Sequence, residues 1–219
     1  MKIGIIGAGK LGTTLGRLLL QAGYEVLISG SGDPAKIELT VSVLLPGAVA
    51  TTTSQAAQQG AIVILALPLS KYQELNKQDF AGKIVIDATN YWEPTDGPAE
   101  DFLTSGLTSS EQIQRYLAIS EVVKALNHIG YHDLLDEARP AKDPLRKAIA
   151  IATDHSGTIQ PVSSLISAIG FDPLPIGPLA NGSLLQPGSP LFGADLTKTE
   201  LKKLLKQQAA KMKLDLKFS

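Results

Sequence analysis

"KIGIIGAGKLG", residues Lys2 to Gly12, decides how the rest of the chain is read. Its first half is a β-branched run, and its second half fits G-x-G-x-x-G through Gly7, Ala8, Gly9, Lys10, Leu11 and Gly12. After a strand and at the opening of a helix, each glycine has a task. Gly7 turns the chain, Gly9 lets backbone approach a pyrophosphate, and Gly12 lets the helix pack close to the strand. The next stretch, "LGTTLGRLLLQAG", puts Leu11, Leu15, Leu18 and Leu19 on one helical face before Gly23 closes the helix. "EVLIS" (Glu25 to Ser29) then completes a strand-helix-strand unit of the size such a crossover needs. The unit reads as a dinucleotide-binding site.

Further apolar runs follow: "AIVILAL" (Ala61 to Leu67), "KIVIDA" (Lys83 to Ala88), "EVVKAL" (Glu121 to Leu126) and "AIAIAT" (Ala148 to Thr153). Continuous runs of this length suit strands buried on both faces of a parallel sheet. Their alternation with helical stretches predicts an α/β chain, a Rossmann-type doubly wound and mostly parallel sheet with a small C-terminal α/β portion. Residues 1–120 form the expected NADP-binding domain. Residues 121–219 are expected to extend the sheet and close an acceptor pocket. Pro94 to Ser110 reads as a long surface loop, with Ser109 and Gln112 as a capping box opening a helix to about Leu117. Asn127 to Pro144 reads as irregular, about Gly157 to Ile169 as a helix, and "GFDPLPIGPLANGSLLQPGSPLFG" as turns. In "LTKTELKKLLKQQAAKMKL", Leu201, Leu204, Leu205 and Met212 fall near one face and the lysines opposite, a solvated helix face.

With 219 residues, 44% of them hydrophobic, the chain can bury a large core. A net charge of -1 supplies no overall field for nucleic acid or an anionic membrane, which leaves a small molecule as the expected partner. The absence of cysteine excludes disulfides, thiolate metal sites and cysteine catalysis. No stretch approaches the roughly 20 apolar residues of a spanning helix, and the start is too glycine-rich for a signal peptide. The expectation is a soluble, cytoplasmic protein.

"VLISGSGDP", Val26 to Pro34, lies where the second strand meets the adenosine ribose. An NAD site places a carboxylate there, which would repel the 2'-phosphate of NADP. Here the strand ends on Ser29, Gly30 and Ser31, with Lys36 beyond, a pattern that favours NADP(H). Leu67-Pro68 and Asp87-Ala88-Thr89-Asn90 stand at carboxyl ends of expected parallel strands, where open α/β sheets bind ligands. Of these Asp87 reads as a buried structural acid and Asn90 as the ligand-touching residue. No Tyr is followed by Lys four residues later, so the Tyr/Lys acid pair of many carbonyl reductases is absent. His128 and His132 lack a third ligand nearby and no metal is expected, while His155 falls at a helix start. With no acid/base pair in view, no catalytic residue is assigned. Hydride passing between two bound redox molecules held face to face needs none.

The chain resembles the coenzyme F420-dependent NADP oxidoreductases, a family whose dinucleotide domain is also similar to that of the STEAP metalloreductases. The resemblance runs over nearly the whole length. It is carried by "KIGIIGAGKLG", "AIVILALP", "IVIDATN", "EVVKALNHI" where the family has a V-V-K-A-F-N-like string, and "IGFDPLPIGPLANGSLLQP" where it has G-F-x-P and then G-P-L. It implies that Ala8 to Gly12 hold the pyrophosphate and Ser29 to Ser31 the 2'-phosphate. Leu67 and Pro68 would line the nicotinamide ribose with Asn90 nearby. Leu126, Asn127 and His128 would border the nicotinamide and second substrate, and Gly177, Pro178 and Leu179 would close the other side. Relatives form dimers, which implies a homodimer. Three departures stand out: Ser31 or Gly32 replaces an arginine of the phosphate loop, Gln186 replaces an acid, and the tail after Pro190 differs.

The reading is therefore NADPH-dependent hydride transfer to a small redox acceptor, coenzyme F420 or a flavin. Two rivals accompany it. One is an imine or 3-hydroxyacid reductase, which usually needs a larger helical C-terminal domain than the residues after Thr153 provide. The other is a non-catalytic NADP(H)-binding redox sensor.

Overall fold

The apolar runs lack polar alternation, and in the structure they become strands covered on both sides. The structure is a computed structural model and describes residues 1–212 and 214–218. Its strands are β1 (Lys2–Ile6), β2 (Glu25–Ser29), β3 (Val49–Ala50), β4 (Ile62–Leu65), β5 (Ile84–Asp87), β6 (Glu121–Lys124), β7 (Ala148–Thr153) and β8 (Asp172–Gly177). Among the described residues they form one eight-stranded sheet in the order β3-β2-β1-β4-β5-β6-β7-β8. Every pairing is parallel except β6 with β7. This is the Rossmann-type, mostly parallel α/β sheet expected.

Helices α1 (Lys10–Gln21), α2 (Glu38–Leu44), α3 (Thr53–Gln59), α4 (Glu93–Asp96), α5 (Ser109–Tyr116), α6 (Tyr131–Asp136), α7 (Ile159–Ala168) and α8 (Lys198–Met212) complete the chain. The pleat of each strand divides the core. Ile3, Ile5, Val123, Ile149 and Ile151 face α1, α2, α6 and α7, meeting Leu15, Leu19, Val41, Leu134 and Leu165. On the other face, Ile6, Val63, Val85 and Val122 meet Ala56 of α3 and Ile113 of α5. There the alanines of β7 lie under Leu184, Leu201 and Leu205.

Several boundaries differ from the sequence reading. The segment read as turns contains β8, whose Pro173 and Pro175 argue against a strand. The strand survives because it is the sheet edge: the Asp172 N–H donates inward to the Lys147 carbonyl at 2.8 Å, so the missing N–H groups of the alternate prolines fall on the open side. The expected loop 94–110 holds part of α4 and a 3-10 turn, Ala99–Asp101. The capping box belongs to Thr108 and Glu111, one residue before the expected pair. The irregular stretch 127–144 contains α6. On α8 Ala209 joins Leu201 and Leu205 in the core, whereas Met212 is exposed.

The α1 start is fixed by contact. A Cβ built on Gly12 would lie 1.8 Å from the Gly7 carbonyl oxygen, whereas one on Gly9 has nothing within 4 Å among the described residues. Gly12→Ala should therefore cost about 1–3 kcal/mol through overpacking, and Gly9→Ala less than about 1 kcal/mol. Urea unfolding of the two variants checks this; equal losses would contradict it.

Candidate functional site

The carboxyl end of β1 meets α1 in a turn built for close approach. Gly7 has φ +120, its N–H donates to the Ser29 carbonyl at 2.8 Å, and a Cβ there would strike the Ala66 carbonyl oxygen at 2.2 Å. Among the described residues no side chain caps α1, and no acid occupies its first turn. Its leading N–H groups and the positive end of its dipole are thus left for an anion over the open space at Gly9. The Lys10 ammonium stands at the mouth, 5.4 Å from the Tyr131 ring centroid. Ala8 and Leu11 are half-buried beneath.

The loop after β2 comes to this turn, since a Cβ on Gly30 would reach the Ala8 methyl at 4.0 Å. Ser31 and Lys36 are exposed, and the Lys36 ammonium lies 3.9 Å from where a Gly32 Cβ would stand. Asp33, the loop's acid, accepts from the Ala35 N–H at 2.9 Å and caps the following turn. Ser29 does not take the expected place. It is fully buried and shares its hydroxyl with Thr53 at 3.2 Å, so the phosphate-facing groups reduce to Gly30, Ser31, Gly32 and Lys36.

At the carboxyl ends of β4, β5 and β6, the structure brings together Leu67, Pro68, Asn90, Leu126 and Asn127 by strand register. Asn90 and Asn127 clasp each other: Asn90 Nδ2 donates to the Asn127 carbonyl at 2.8 Å, and Asn127 Nδ2 donates to Asn90 Oδ1 at 3.0 Å. Asn127 Nδ2 also donates to the Leu185 carbonyl at 2.7 Å, while its Oδ1 is buried with no hydrogen-bond partner among the described residues. The preceding Leu126 is fully buried at φ +66. A non-glycine residue held there stores of order 1–3 kcal/mol of strain.

Beneath the clasp lies a buried polar network that the sequence reading found only in part. Lys124 Nζ pairs with Asp87 Oδ2 at 3.1 Å, both side chains fully buried, and also donates to the Thr89 carbonyl. Ser110 donates to Asp87 Oδ2 at 2.6 Å, and the Thr89 N–H and hydroxyl donate to Asp87 Oδ1 at 2.9 and 2.6 Å. Asp87 is thus the structural acid expected. Burial lowers the Lys124 pKa from its ordinary value, opposed by the Asp87 charge.

Two groups of expected pocket residues lie elsewhere in their chemistry or position. The His128 ring is buried, and its Nε2 accepts from the Ala150 N–H at 3.0 Å, tying the end of β6 to β7. Desolvation, then the Lys124 charge, lowers its pKa to about 4, so the ring is neutral and committed. Gly177, Pro178 and Leu179 do not flank the clasp. Because β7 runs against β6, with Lys124 opposite Ala152, and β8 follows β7, the ends of these last strands point away from the cleft. The Leu179 N–H donates to Asp154 Oδ1 at 3.0 Å, near the level of Val122. By strand rise this is already roughly 7 Å back from Lys124, on the side away from Asn127. Gly177 and Pro178 instead line a cavity of about 370 Å³ with Thr153, Asp154, Ser156 and Lys217. The chain then climbs back: Gly182 packs on Lys124, Leu185 reaches Asn127, and Gln186 donates to Ser109 at 3.0 Å. Leu185 and Gln186, rather than 177–179, are thus the C-terminal residues brought to Asn127 and to the start of α5. Only the "LLQP" string hinted at this. Among the described residues there is no cluster of three potential metal ligands, and no helix is long and apolar enough to cross a membrane.

Comparisons with known proteins bear on the family and the fold. Residues 2–91 match the family described as NADP oxidoreductase, coenzyme F420-dependent. The metalloreductase STEAP3 of Rattus norvegicus is 29% identical over 182 residues, which cover 82% of this chain and 34% of that protein. The chain thus spans about a third of the length of that curated relative. A solved hypothetical protein, SMa0349 of Sinorhizobium meliloti, superposes with a TM-score of 0.77 at 28% identity, covering 90% of this chain and 96% of that one. A protein of Arthrobacter sp. FB24, described as a proposed F420-dependent NADP-reductase, superposes with a TM-score of 0.68 at 20% identity over 98% of this chain and 96% of that one. The resemblance to this oxidoreductase family, and of the dinucleotide part to the STEAP reductases, is established.

The neutral His128 predicts acid lability. The unfolded chain takes up a proton near the ordinary pKa of 6.5, whereas the folded ring stays neutral down to about 4. Its stabilising effect is intact above that window and lost as pH falls through it, by about 3 kcal/mol in all. Urea unfolding between pH 7 and 4 should show this slope, and His128→Gln should flatten it. An unchanged slope in the variant would contradict the assignment.

Proposed function

We propose that this chain is an NADP(H)-dependent oxidoreductase that passes a hydride between the dinucleotide and a small planar acceptor of the deazaflavin or flavin kind. One observation carries the reading: the uncapped start of α1 beside open space at Gly9, adjoining a loop that offers Ser31 and Lys36 but whose acid is engaged in its own turn. The residues fit the dinucleotide in parts. Gly9 and the α1 N–H groups would hold the pyrophosphate, and Gly30, Ser31, Gly32 and Lys36 the 2'-phosphate. Leu67, Pro68, Asn90 and Asn127 would border the nicotinamide. Residues 121–219 would close the acceptor side through Leu185 and Gln186.

When bound, the nicotinamide supplies or receives the hydride. The chain's own part is to bind, orient and exclude water. The Asn90–Asn127 clasp gives a polar floor whose geometry is locked from both sides. Leu67, half-buried, supplies apolar surface beside it, while Leu126 is committed to the core beneath. Asp87 and Lys124 neutralise each other, and His128 is neutral and bonded to backbone. These groups leave proton exchange to solvent, which suits hydride transfer between two bound heterocycles.

Calorimetric titration tests the cofactor assignment. NADPH should bind more tightly than NADH, Gly9→Val should weaken both, and Ser31→Asp should weaken NADPH selectively by about tenfold or more through like-charge repulsion. Equal affinities, or indifference of NADPH to Ser31→Asp, would overturn it. Turnover is followed by nicotinamide absorbance with oxidised deazaflavin, FMN, FAD, riboflavin and ferric chelate. Tight NADPH binding without oxidation by any acceptor would make the chain a redox sensor instead.

A further inference from the structure

The mouth above the asparagine clasp is framed by an aromatic pair and a line of carboxylates. Trp92, the chain's one tryptophan, follows Asn90 and Tyr91 at the carboxyl end of β5, and 52% of it is exposed. Its ring meets Phe192 at a centroid distance of 6.1 Å and an interplanar angle of 67°. Phe192 is held at the end of β6, because the next residue, Gly193, donates its N–H to the His128 carbonyl at 2.8 Å. The Trp92 backbone is also fixed. Its N–H donates to Asp96 Oδ2 at 2.8 Å, and Asp96 Oδ1 accepts from the Ser70 N–H at 2.9 Å, which joins this loop to the one after Pro68. A large aromatic on an anchored backbone, left half in water at a cleft, is a binding surface of the kind that flat ligands use.

Charge is segregated along the same cleft. Lys10 and Lys36 stand at the phosphate end. After Trp92 the chain runs on through Glu93, Asp96, Glu100 and Asp101, with Asp96 bonded to the Trp92 N–H, and the sequence has no Lys or Arg between Lys83 and Arg115. Glu93, Asp96 and Glu100 converge on Tyr91, whose hydroxyl donates to the Gly97 carbonyl at 3.0 Å. Its pKa is raised by burial, then by Glu93, Glu100 and Asp96. An anionic tail entering here meets repulsion that an uncharged ring does not.

We propose that Trp92 and Phe192 form the stacking wall for the hydride acceptor, and that the acidic lip beside them selects a planar polycyclic ring without a phosphate tail. This rests on the oxidoreductase reading above. For a riboflavin-type acceptor the balance is NADPH, one proton from solvent and the oxidised ring going to NADP+ and the dihydro ring. Two electrons move with the hydride.

Riboflavin, FMN and FAD share one ring and differ in charge, so they separate stacking from selection. With the protein saturated in NADP+, quenching of Trp92 emission, corrected for flavin absorbance, should give a riboflavin Kd about tenfold below that of FMN or FAD. Raising ionic strength should narrow the gap, because exposed charges are screened. By calorimetry, Trp92→Ala should raise the riboflavin Kd about tenfold, a usual loss for a stacking aromatic, with NADPH affinity unchanged. Phe192→Leu, which keeps the reporter, should raise it in the same direction. Glu93→Gln with Glu100→Gln should tighten FMN relative to riboflavin. FMN binding as tightly as riboflavin at low salt would overturn the selection. A riboflavin Kd indifferent to both aromatic substitutions, or no riboflavin binding, would overturn the wall. If the flavin order and the Trp92 effect hold but NADPH is not oxidised, the site stands and the oxidoreductase reading fails.

Discussion

The ion pair between Asp87 and Lys124 governs the carboxyl ends of β5 and β6. Two opposite charges, fully buried on neighbouring parallel strands, are tolerated only because Thr89 and Ser110 satisfy the carboxylate and the Thr89 carbonyl takes a second ammonium hydrogen. Losing one member would leave an uncompensated buried charge, which costs about 3–5 kcal/mol. The pair therefore fixes how far the ends of β5 and β6 stand along the sheet. That register is what lets Asn90 and Asn127 reach each other one step above. The left-handed Leu126 backbone follows, turning the chain sharply enough to place Asn127 in the clasp and the His128 ring against β7.

The remainder of the site is set by which way strands run. Parallel strands bring the glycine turn, Pro68 and the clasp to one edge of the sheet, where α1 offers its positive end. The single reversal at β7 sends Thr153 and Gly177 to the other edge. The chain compensates with the climb from Leu179 to Gln186, so the C-terminal portion contributes to the cleft through a returning segment rather than a strand end. Charge follows the same geography, with lysines beside the glycine turn and carboxylates beside Trp92.

Much of this was legible from residue order. The glycine spacing and the β-branched runs act locally, and the structure places Gly7 in the tight turn and Gly12 at the close helix–strand contact that their spacing implies. What escaped reading depends on relations between distant segments. Pro173 and Pro175 mark a turn unless the strand is known to lie at an edge. Ser29 looks like a phosphate contact until Thr53 is found against its hydroxyl. Gly177 to Leu179 look like pocket residues until the direction of β7 is known. Lys124 sits inside an apolar run, and the acid that explains it lies far back in sequence. Trp92 carried no motif, and its position at the mouth arises from the Phe192 loop folding back beside it.

In the proposed function one cleft, at the carboxyl ends of β1, β4, β5 and β6, holds the dinucleotide and presents its nicotinamide to the acceptor. A crystal structure of the complex with NADP+ tests this most directly. It should show the pyrophosphate over Gly9, the 2'-phosphate against Gly30 to Gly32 and Lys36, and the nicotinamide above Asn90 and Asn127. A dinucleotide seated instead in the cavity between Thr153 and Gly177, or a nicotinamide turned away from the clasp, would contradict it.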